Sequence, residues 1–398
     1  MKKYLLIISM CISVSFSFSQ DIKREYFTSK TNKAPIIDGS IDDACWQKAN
    51  VADSFQMSSP YDDRPASFDT EFKILYDNNN LYFAIRAHDP EPTKIFKQIT
   101  RRDNVNSEYL AVYIDSYSDN STAYCFIVNA AGVLKDIFIS NDGAVWDESW
   151  NGIWWAKTNI DEHGWTAEYR IPLSQLRFIN KNEQSWGLNV RRMIHRKEEG
   201  SYWSPIPQNA QGFVHRFGTL KGLKNIKARK VLDITPYALS SLNTYEAETG
   251  NPYRDGSNLN FNFGIDGKIG LSNNFTMDYT INPDFGQVEA DPANVNLTAF
   301  ETFFPEQRPF FIEGSNISSF ALDVNGGSPQ LFYSRRIGGR PHFSPYLDED
   351  EYAKVPNATS ILAAAKITGR TDAGLNIGVV EAITQKEFAQ INTNGTIC

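Results

Sequence analysis

Short segments in which apolar and polar residues alternate recur through the first half of the chain. Residues 71–77 and 81–87 alternate in this way on either side of Asn78-Asn79-Asn80. A period of two places the apolar side chains on one face of a strand, and asparagine favours the turn that joins two strands. The pattern recurs in residues 108–115, 123–129, 133–139, 154–160, 165–171 and 186–195. Many short strands with almost no helical periodicity predict an all-β fold, specifically a β-sandwich.

The alternation changes in character beyond a short basic stretch near residues 222–230. Residues 260–266 read Asn-Phe-Asn-Phe-Gly-Ile-Asp, so one face of the strand is apolar and the other carries Asn, Gly and Asp. In a soluble domain the apolar face is buried, whereas in an outer-membrane barrel it faces lipid and the polar face lines the lumen. The strand lengths, the Asn and Gly turns and the export signal described next favour the barrel. The remaining predicted strands here are residues 231–240, 259–267, 268–271, 275–280, 361–368 and 373–380.

The first twenty residues predict a signal peptide. Lys2 and Lys3 precede the apolar stretch 4–18, and Ser17-Phe18-Ser19 has the small-x-small pattern that a signal peptidase cuts. The stretch is short for a membrane span, and a cytosolic amphipathic helix is the alternative. We therefore expect an exported protein of the outer membrane or cell surface. The predicted divisions are a signal peptide at 1–20, a sandwich at 21–222, a linker at 223–232 and a partial barrel at 233–398.

Cysteine content and charge limit the possible partners. Removal of the signal peptide leaves Cys45, Cys125 and Cys398, an odd number, and the apolar neighbours of the first two favour buried free thiols over a disulfide. The net charge of −8 becomes −10 when Lys2 and Lys3 are removed. An acidic chain without a basic stripe is not expected to bind nucleic acid.

Tryptophans mark the first half as chemically distinct. All eight lie between Trp46 and Trp203, and the densest segment is residues 145–155. Trp146 and Trp150 lie there among polar residues typical of a loop, so they either bind the C–H faces of sugar rings or cap the core. Trp203, next to Tyr202 and two prolines, is a second candidate for a flat binding surface. The patterns around Trp46, Trp165 and Trp186 predict core positions.

An ordered set of motifs in the first half resembles a known family. It begins with Pro35-Ile-Ile-Asp-Gly-Ser-Ile-Asp-Asp-Ala-Cys-Trp46 and continues with Leu75-Tyr-Asp77, Leu81-Tyr-Phe-Ala84, Ile114-Asp115, Trp146-Asp147, Gly164-Trp165-Thr-Ala-Glu168, Ile171-Pro172, Leu176-Arg-Phe178 and Trp186-Gly187. Across residues 35–222 this order resembles the family 9 carbohydrate-binding-module-like domains. The resemblance implies a jelly-roll-type sandwich that binds a polysaccharide or oligosaccharide in the context of carbohydrate catabolism.

Three motifs in the second half carry a further resemblance. They are residues 278–291, residues 303–314 and Tyr333-Ser-Arg-Arg-Ile337. They resemble the barrel region that follows this domain in a Bacteroidetes outer-membrane family of unknown function. Members of that family are longer and finish on a barrel strand with a terminal aromatic residue, whereas this chain finishes on Thr396-Ile397-Cys398. We therefore expect a truncated member whose barrel is incomplete.

Several polar residues of the first half are candidate sugar ligands. Arg101, Arg102 and Asp103 follow a predicted strand, and in the resembled family a basic residue near this point helps to hold sugar hydroxyls. A solvated loop pair is the alternative. Asn129 and Asp136 flank the hairpin at Gly132 and supply either sugar contacts or turn hydrogen bonds.

A structural calcium ion is a further expectation from the resemblance, because related modules bind calcium through carboxylates and carbonyls. Asp38, Asp42 and Asp43 crowd one turn and are the candidate ligands, although their spacing is not that of an EF-hand loop. No other metal or cofactor is expected. The five histidines are scattered without metal-ligand spacing.

Three functional hypotheses remain open. The first is a non-catalytic carbohydrate-binding module at the cell surface. The second is a hydrolase acting on O-glycosyl bonds, which needs two carboxylates across the scissile bond. The sequence contains no nucleophile elbow, zinc-protease helix or phosphate-binding loop that would indicate another enzyme class. The third is a barrel whose sandwich is a plug or a partner-binding domain without sugar affinity.

Overall fold

A computed structural model describes residues 23–283 except 63, 180, 228–230 and 273, and also residues 306, 308–312, 332–348, 351–371, 374–393 and 396–397. The predicted signal peptide, Cys398 and parts of the motif segments 278–291 and 303–314 lie outside the described residues. The described residues form an all-β structure, as the alternation of apolar and polar residues predicts.

The first half contains fourteen strands in its described part. They are β1 (Glu25–Phe27), β2 (Ser29–Lys30), β3 (Gln56–Ser59), β4 (Thr70–Tyr76), β5 (Asn80–His88), β6 (Tyr109–Asp115), β7 (Ala123–Asn129), β8 (Leu134–Ser140), β9 (Val145–Asp147), β10 (Trp155–Asp161), β11 (Gly164–Pro172), β12 (Glu183–Ile194), β13 (Glu199–Tyr202) and β14 (Gly218–Lys224). Short 3-10 helices lie between some of them, at Ala44–Lys48, Pro92–Lys94, Asn141–Gly143, Leu173–Gln175, His195–Lys197 and Val214–Arg216.

These strands form two sheets. The larger has the order β1-β14-β12-β6-β7-β8-β9, with β13 pairing to both β12 and β3. The smaller has the order β10-β11-β5-β4-β2. Most neighbours are antiparallel, whereas β1 pairs with β14, and β2 with β4, in parallel. Strands that are neighbours in the larger sheet but distant in the chain, such as β6 and β12, produce the crossed topology of a sandwich.

The main apolar core lies between the two sheets. Alternate residues of β4, β5 and β11 meet alternate residues of β6, β7 and β12, because a period of two directs every second side chain inward. Trp165 and Trp186 are fully buried there, and Trp46 is buried in a smaller cluster on the other side of the smaller sheet. The core positions predicted for these three tryptophans are therefore confirmed. Cys45 and Cys125 are free thiols, as predicted, and Cys125 is fully buried.

The boundary of the sandwich lies later than the sequence indicates. Leu223 and Ile226, which fall in the predicted linker 223–232, are 0% and 1% exposed and belong to the main core. Strand β14 also extends to Lys224 and pairs with β12. The basic residues nearby suggest a linker, but the apolar residues between them complete the sandwich.

The second half contains eight strands in its described part. They are β15 (Leu232–Thr244), β16 (Ser257–Gly270), β17 (Phe275–Ile281), β18 (Glu351–Lys354), β19 (Ile361–Arg370), β20 (Asn376–Thr384), β21 (Gln390–Thr393) and β22 (Thr396–Ile397). One α-helical turn, α1 (Pro309–Ile312), and one 3-10 helix, Ser334–Arg336, accompany them. The two predicted strands at 259–267 and 268–271 are one continuous strand, β16. No helix in the described residues has the length and apolar character needed to cross a bilayer.

A five-stranded sheet dominates this half. Its order is β15-β16-β17-β19-β20, every pair is antiparallel, and β18, β21 and β22 form a separate three-stranded sheet. Within the described residues β15 and β20 are edges, so the sheet is open rather than closed. The antiparallel strands match the prediction, whereas their closure into a barrel stays a prediction.

The two faces of the five-stranded sheet differ in polarity. Its exposed face is apolar, and Phe261 and Phe263 are 66% and 69% exposed. Its other face is polar and covered, so that Thr280 and Lys366 are 1% and 3% exposed. Lys366 donates a hydrogen bond to the carbonyl of Phe310, within α1.

Candidate functional site

The tryptophan-rich segment 145–155 crosses the edge of the larger sheet and divides between its two faces. Trp146 pairs with Ile139 of β8 and lies on the outer face, 40% exposed. Its indole N–H donates to the carbonyl of Gly143 at 2.7 Å, and its ring contacts Phe213 at 5.1 Å. Trp150 lies on the core side, with its ring 5.0 Å from Tyr124 and 5.7 Å from Phe126. The two residues therefore do not form one binding surface.

A buried hydrogen-bond cluster holds this segment in place. Asp136 of β8 is fully buried and accepts hydrogen bonds from the Gly152 amide at 2.5 Å and from the Trp154 indole at 3.3 Å. Arg102 forms an ion pair with Asp136 and also donates to the Gly152 carbonyl at 3.0 Å. Both of these predicted sugar ligands are therefore occupied in positioning the tryptophan segment.

The neighbouring predicted ligands have different roles. Asn129 is fully buried, its amide donates to the carbonyl of Gln98, and its side-chain oxygen accepts the amides of Ala131 and Val133. This is turn chemistry, which was one of the two alternatives for Asn129. Arg101 is exposed, and Asp103 lies beside the Arg102–Asp136 pair, where burial and the Asp136 charge raise its pKa.

The expectation that Trp203 forms an exposed binding surface is wrong. Trp203 is 3% exposed and packs edge-on against Phe72, with the ring centroids 5.3 Å apart. Its amide donates to the carbonyl of Val190, which extends the pairing of β13 with β12 by one residue. The prolines that follow suggest a loop, but the residue itself completes the core.

The outer face of the larger sheet carries a group of residues that sequence reasoning missed. Arg191 of β12 pairs with Tyr202 of β13 on one side and with Ala111 of β6 on the other. Its guanidinium carbon lies 5.6 Å from the Tyr109 ring centroid and 5.2 Å from that of Tyr202. We call Tyr109, Arg191 and Tyr202 the tyrosine–arginine cluster. Period two in β12 could have revealed it, because Arg191 and Arg192 must face opposite sides.

The two adjacent arginines have opposite surroundings. Arg192 is fully buried and donates to the carbonyls of Asp69 and His88 at 3.0 and 2.8 Å. Among the described residues Arg191 forms no ion pair with a carboxylate, its Nε is buried without a hydrogen-bond partner, and its guanidinium hydrogen-bonds the side chain of Tyr113. Burial raises the pKa of Tyr109 and Tyr202, so both hydroxyls stay protonated donors. Arg191 is therefore a half-buried cation surrounded by tyrosine side chains and not neutralised by a described carboxylate.

A second charged group lies on the same face. Ala111, which pairs with Arg191, also pairs with Ile127 of β7, and Ile127 pairs with Lys135 of β8, so Arg191 and Lys135 face the same side of the sheet. Lys135 forms an ion pair with Glu148 at 2.7 Å. The exposed Trp146 follows along β9, so the outer face combines an indole, two tyrosines and two cations.

The predicted calcium ligands do not come together. Asp38 accepts the Ser40 amide, Asp43 accepts the Ile36 amide at 2.7 Å, and Asp42 is exposed. Within the described ranges no three His, Cys, Asp or Glu side chains are grouped as metal ligands would be. Two of the three aspartates therefore act as turn acceptors, which is the common role of this residue type.

The neighbouring carboxylates Asp147 and Glu148 diverge. Glu148 lies on the outer face with Lys135, whereas Asp147 pairs with Phe138, whose side chain faces the core side. A glycosidase needs two carboxylates that face each other across one bond. These two cannot act as such a pair.

Two family models match the chain. Residues 37–206 match the carbohydrate family 9 binding domain-like family, and residues 230–397 match DUF5916, a domain of unknown function. No curated protein matches the chain.

Solved structures match about half of the chain at low identity. A family 9 carbohydrate-binding module from Caldicellulosiruptor kristjanssonii, in complex with cellotriose, is 16% identical, covers 52% of this chain and 95% of its own, and gives a TM-score of 0.37. The same module with glucose gives 0.36 at 16% identity, with 52% and 97% covered. A Bacteroides uniformis protein to which carbohydrate binding is attributed gives 0.41 at 13% identity, with 50% and 99% covered. By its family matches, the chain carries a carbohydrate family 9 binding domain-like region followed by a DUF5916 region.

Proposed function

We propose that the sandwich binds carbohydrate on the outer face of its larger sheet, at the tyrosine–arginine cluster. The observation that carries the proposal is Arg191, a cation flanked by two tyrosine rings, with no carboxylate partner among the described residues. The match of residues 37–206 to a carbohydrate-binding family supports it.

The cluster has the two kinds of group that sugars need. The exposed indole of Trp146 and the half-buried ring of Tyr109 offer faces that bury the C–H patches of a pyranose ring at little conformational cost, whereas Tyr202, 7% exposed, supports Arg191 from below. A guanidinium presents donors in a fixed fork that two neighbouring hydroxyls, or one carboxylate, accept together. Trp146 and Lys135 extend the surface away from Arg191, so a chain of sugars rather than one ring fits its length.

The proposal is tested with Arg191→Gln in the full chain. We expect affinity for the bound polysaccharide to fall ten- to a hundredfold, because hydrogen bonds from a charged donor contribute about 1.5–3 kcal/mol each. Binding is measured by calorimetry against xylan, cellulose and chitin oligomers. Arg170→Gln is the matched control, because Arg170 stacks 4.0 Å over the exposed Trp155 on the other sheet.

Equal affinity in the Arg191→Gln variant and the wild type would exclude this face as the site. Absence of binding to every glycan would exclude the function itself and favour a plug or partner-binding sandwich. Release of reducing sugar over time would favour a hydrolase.

We also propose that the protein is exported and that the apolar face of the five-stranded sheet contacts the lipid of the outer membrane. Support comes from the polarity of the two faces of this sheet, on which phenylalanines are exposed while Thr280 and Lys366 are buried. In water such a face would be costly, at roughly 25 cal/mol per Å² of apolar surface. In lipid it is the expected arrangement of a membrane strand.

A further inference from the structure

A cavity of about 260 Å³ lies between the sandwich and the five-stranded sheet. It is distinct from the tyrosine–arginine cluster, because it opens on the core side of β8 and not on the outer face. Residues from both halves of the chain line it, among them Trp150 from the sandwich and Thr368 from β19.

The sandwich wall of this cavity is aromatic. Trp150 is half-buried, and its ring stacks obliquely on Tyr124, which in turn lies 5.3 Å from Phe138. All three rings line the cavity. Asp136 fixes the chain at Gly152, and the edge of the Trp150 ring lies against Gly152, so the indole is held in place from behind.

The sheet wall is polar and rich in hydroxyl groups. Thr276 of β17 and Thr368 of β19 pair directly across the two strands and both line the cavity. They are 7% and 5% exposed, so their side chains are largely removed from solvent. An aromatic wall opposite a hydroxyl wall matches the two faces of a sugar ring.

Two buried hydroxyls of the cavity have no hydrogen-bond partner among the described residues. They belong to Ser140, which is 4% exposed, and to Tyr117. A buried hydroxyl without a partner costs about 1–3 kcal/mol. A ligand that carries hydroxyl groups would satisfy both.

Most of the charged side chains at the cavity are paired with an opposite charge. Lys268 lies 3.9 Å from Asp278, and Arg370 forms an ion pair with Asp119. Lys366 also lies 3.8 Å from Asp278, and the remaining charged side chains of the wall are Arg177 and Asp147. Most of these charges are paired, and uncharged hydroxyl, amide and aromatic groups make up most of the lining, which favours a neutral ligand.

We propose that this cavity is a second binding site, for one neutral pyranose ring, either a free monosaccharide or the end of an oligosaccharide. Trp150 supplies the stacking surface, while Ser140, Thr276 and Thr368 supply hydrogen bonds to hydroxyls. The site goes beyond the outer-face function and does not depend on it. It requires both halves of the chain, since each contributes one wall.

The test is calorimetry of the full chain with D-glucose, D-galactose and D-xylose. For the monosaccharide that binds, we expect Trp150→Leu to weaken binding tenfold or more and Thr368→Val to weaken it three- to tenfold. Thr235→Val is the matched control, because exposed Thr235 lies on the polar face of the same sheet but outside the cavity. Circular dichroism verifies folding, and if Trp150→Leu does not fold, Thr368→Val alone decides.

No saturable binding of any of the three monosaccharides would overturn the proposal, as would equal binding by the wild type and both cavity variants. Arg191→Gln separates the two sites. Monosaccharide binding that survives this variant while polysaccharide binding is lost supports two independent sites. Loss of both in Arg191→Gln, with the cavity variants unchanged, assigns all binding to the outer face and overturns the cavity site.

Discussion

At the level of single residues, Glu168 of β11 is a carboxylate with no solvent exposure. It accepts hydrogen bonds from the Trp46 indole at 3.0 Å and from the amides of Gly39 and Asp38 at 3.0 and 3.1 Å. Gly39 has φ +96°, and a Cβ there would lie 2.9 Å from the Thr158 carbonyl carbon. Glu168 thus holds Asp38, Gly39 and Trp46, all from the motif at residues 35–46, against β11. We call these contacts the Glu168 anchor.

This anchor makes stability depend on pH. Burial raises the pKa of Glu168 from 4.5 to about 7, although its three donors favour the charged form. Between these values the folded state holds a proton that the unfolded state has released. The contribution of Glu168 to the free energy of unfolding is therefore largest below pH 4.5 and is lost as the pH rises through 7.

We expect the stability advantage of the wild type over Glu168→Gln to shrink by roughly 2 kcal/mol between pH 5 and pH 8. Urea unfolding followed by tryptophan fluorescence measures it, because all eight tryptophans lie in residues 46–203. Asp115, whose pKa burial also raises to about 7, remains in both proteins and cancels in the comparison. A difference that does not vary with pH would contradict the assignment.

At the level of elements, the same period of two has opposite consequences in the two halves. In β7 every second residue enters the main core, and the intervening residues are buried under the segment that contains Phe213 and Phe217. In β16 the residues between the exposed phenylalanines are polar and face the covered side of the sheet. Alternation locates a strand in both cases but does not say which face meets protein, water or lipid.

The lipid contact is tested by introducing one tryptophan at either of two adjacent positions of β16, residue 261 or residue 262. In vesicles whose acyl chains carry bromine, we expect the added fluorescence of Phe261→Trp to be quenched and that of Asn262→Trp to be spared. Adjacent residues of β16 face opposite sides, and Asn262 accepts a hydrogen bond from Asn282 at 2.7 Å on the polar side. Equal quenching of the two variants, or no quenching of either, would contradict the membrane placement.

At the level of the whole molecule, the two halves meet around the loop that joins β6 to β7. Asp119 of this loop accepts the amides of Ser121 and Thr122 and pairs with Arg370 at the end of β19. Asp119 is 11% exposed and Arg370 is 31% exposed, so the pair is only partly screened by solvent. Arg370 is also one of the residues that line the cavity to which both halves contribute.

We expect Arg370→Ala to speed amide hydrogen exchange in residues 116–122 roughly three- to tenfold, since the loop loses its partner in the other half. Exchange is followed by mass spectrometry of the full chain. Arg254→Ala is the control, because Arg254 lies 3.9 Å from Glu248 within the second half. Unchanged exchange in residues 116–122 would show that the ion pair does not hold the halves together.

Much of this architecture follows from the sequence. Alternation located the main strands of both halves, and it placed Trp46, Trp165 and Trp186 in apolar surroundings, because burial of a large side chain needs an apolar neighbourhood that is visible locally. The order of motifs across residues 35–222 predicted the family that the first region matches.

Only the tertiary structure decided which polar and aromatic residues of this chain are available to a ligand. Trp146 and Trp150 have similar local sequences but lie on opposite faces of the sheet, and Trp203 is buried in the core. The side chains of Arg102, Asn129 and Asp136 form hydrogen bonds within the protein. Arg191 is a candidate sugar ligand because β6 and β13, which both pair with β12, place Tyr109 and Tyr202 beside it. The reason is that the sequence determines the local period of a strand, whereas the availability of a side chain depends on partners that are distant in the chain.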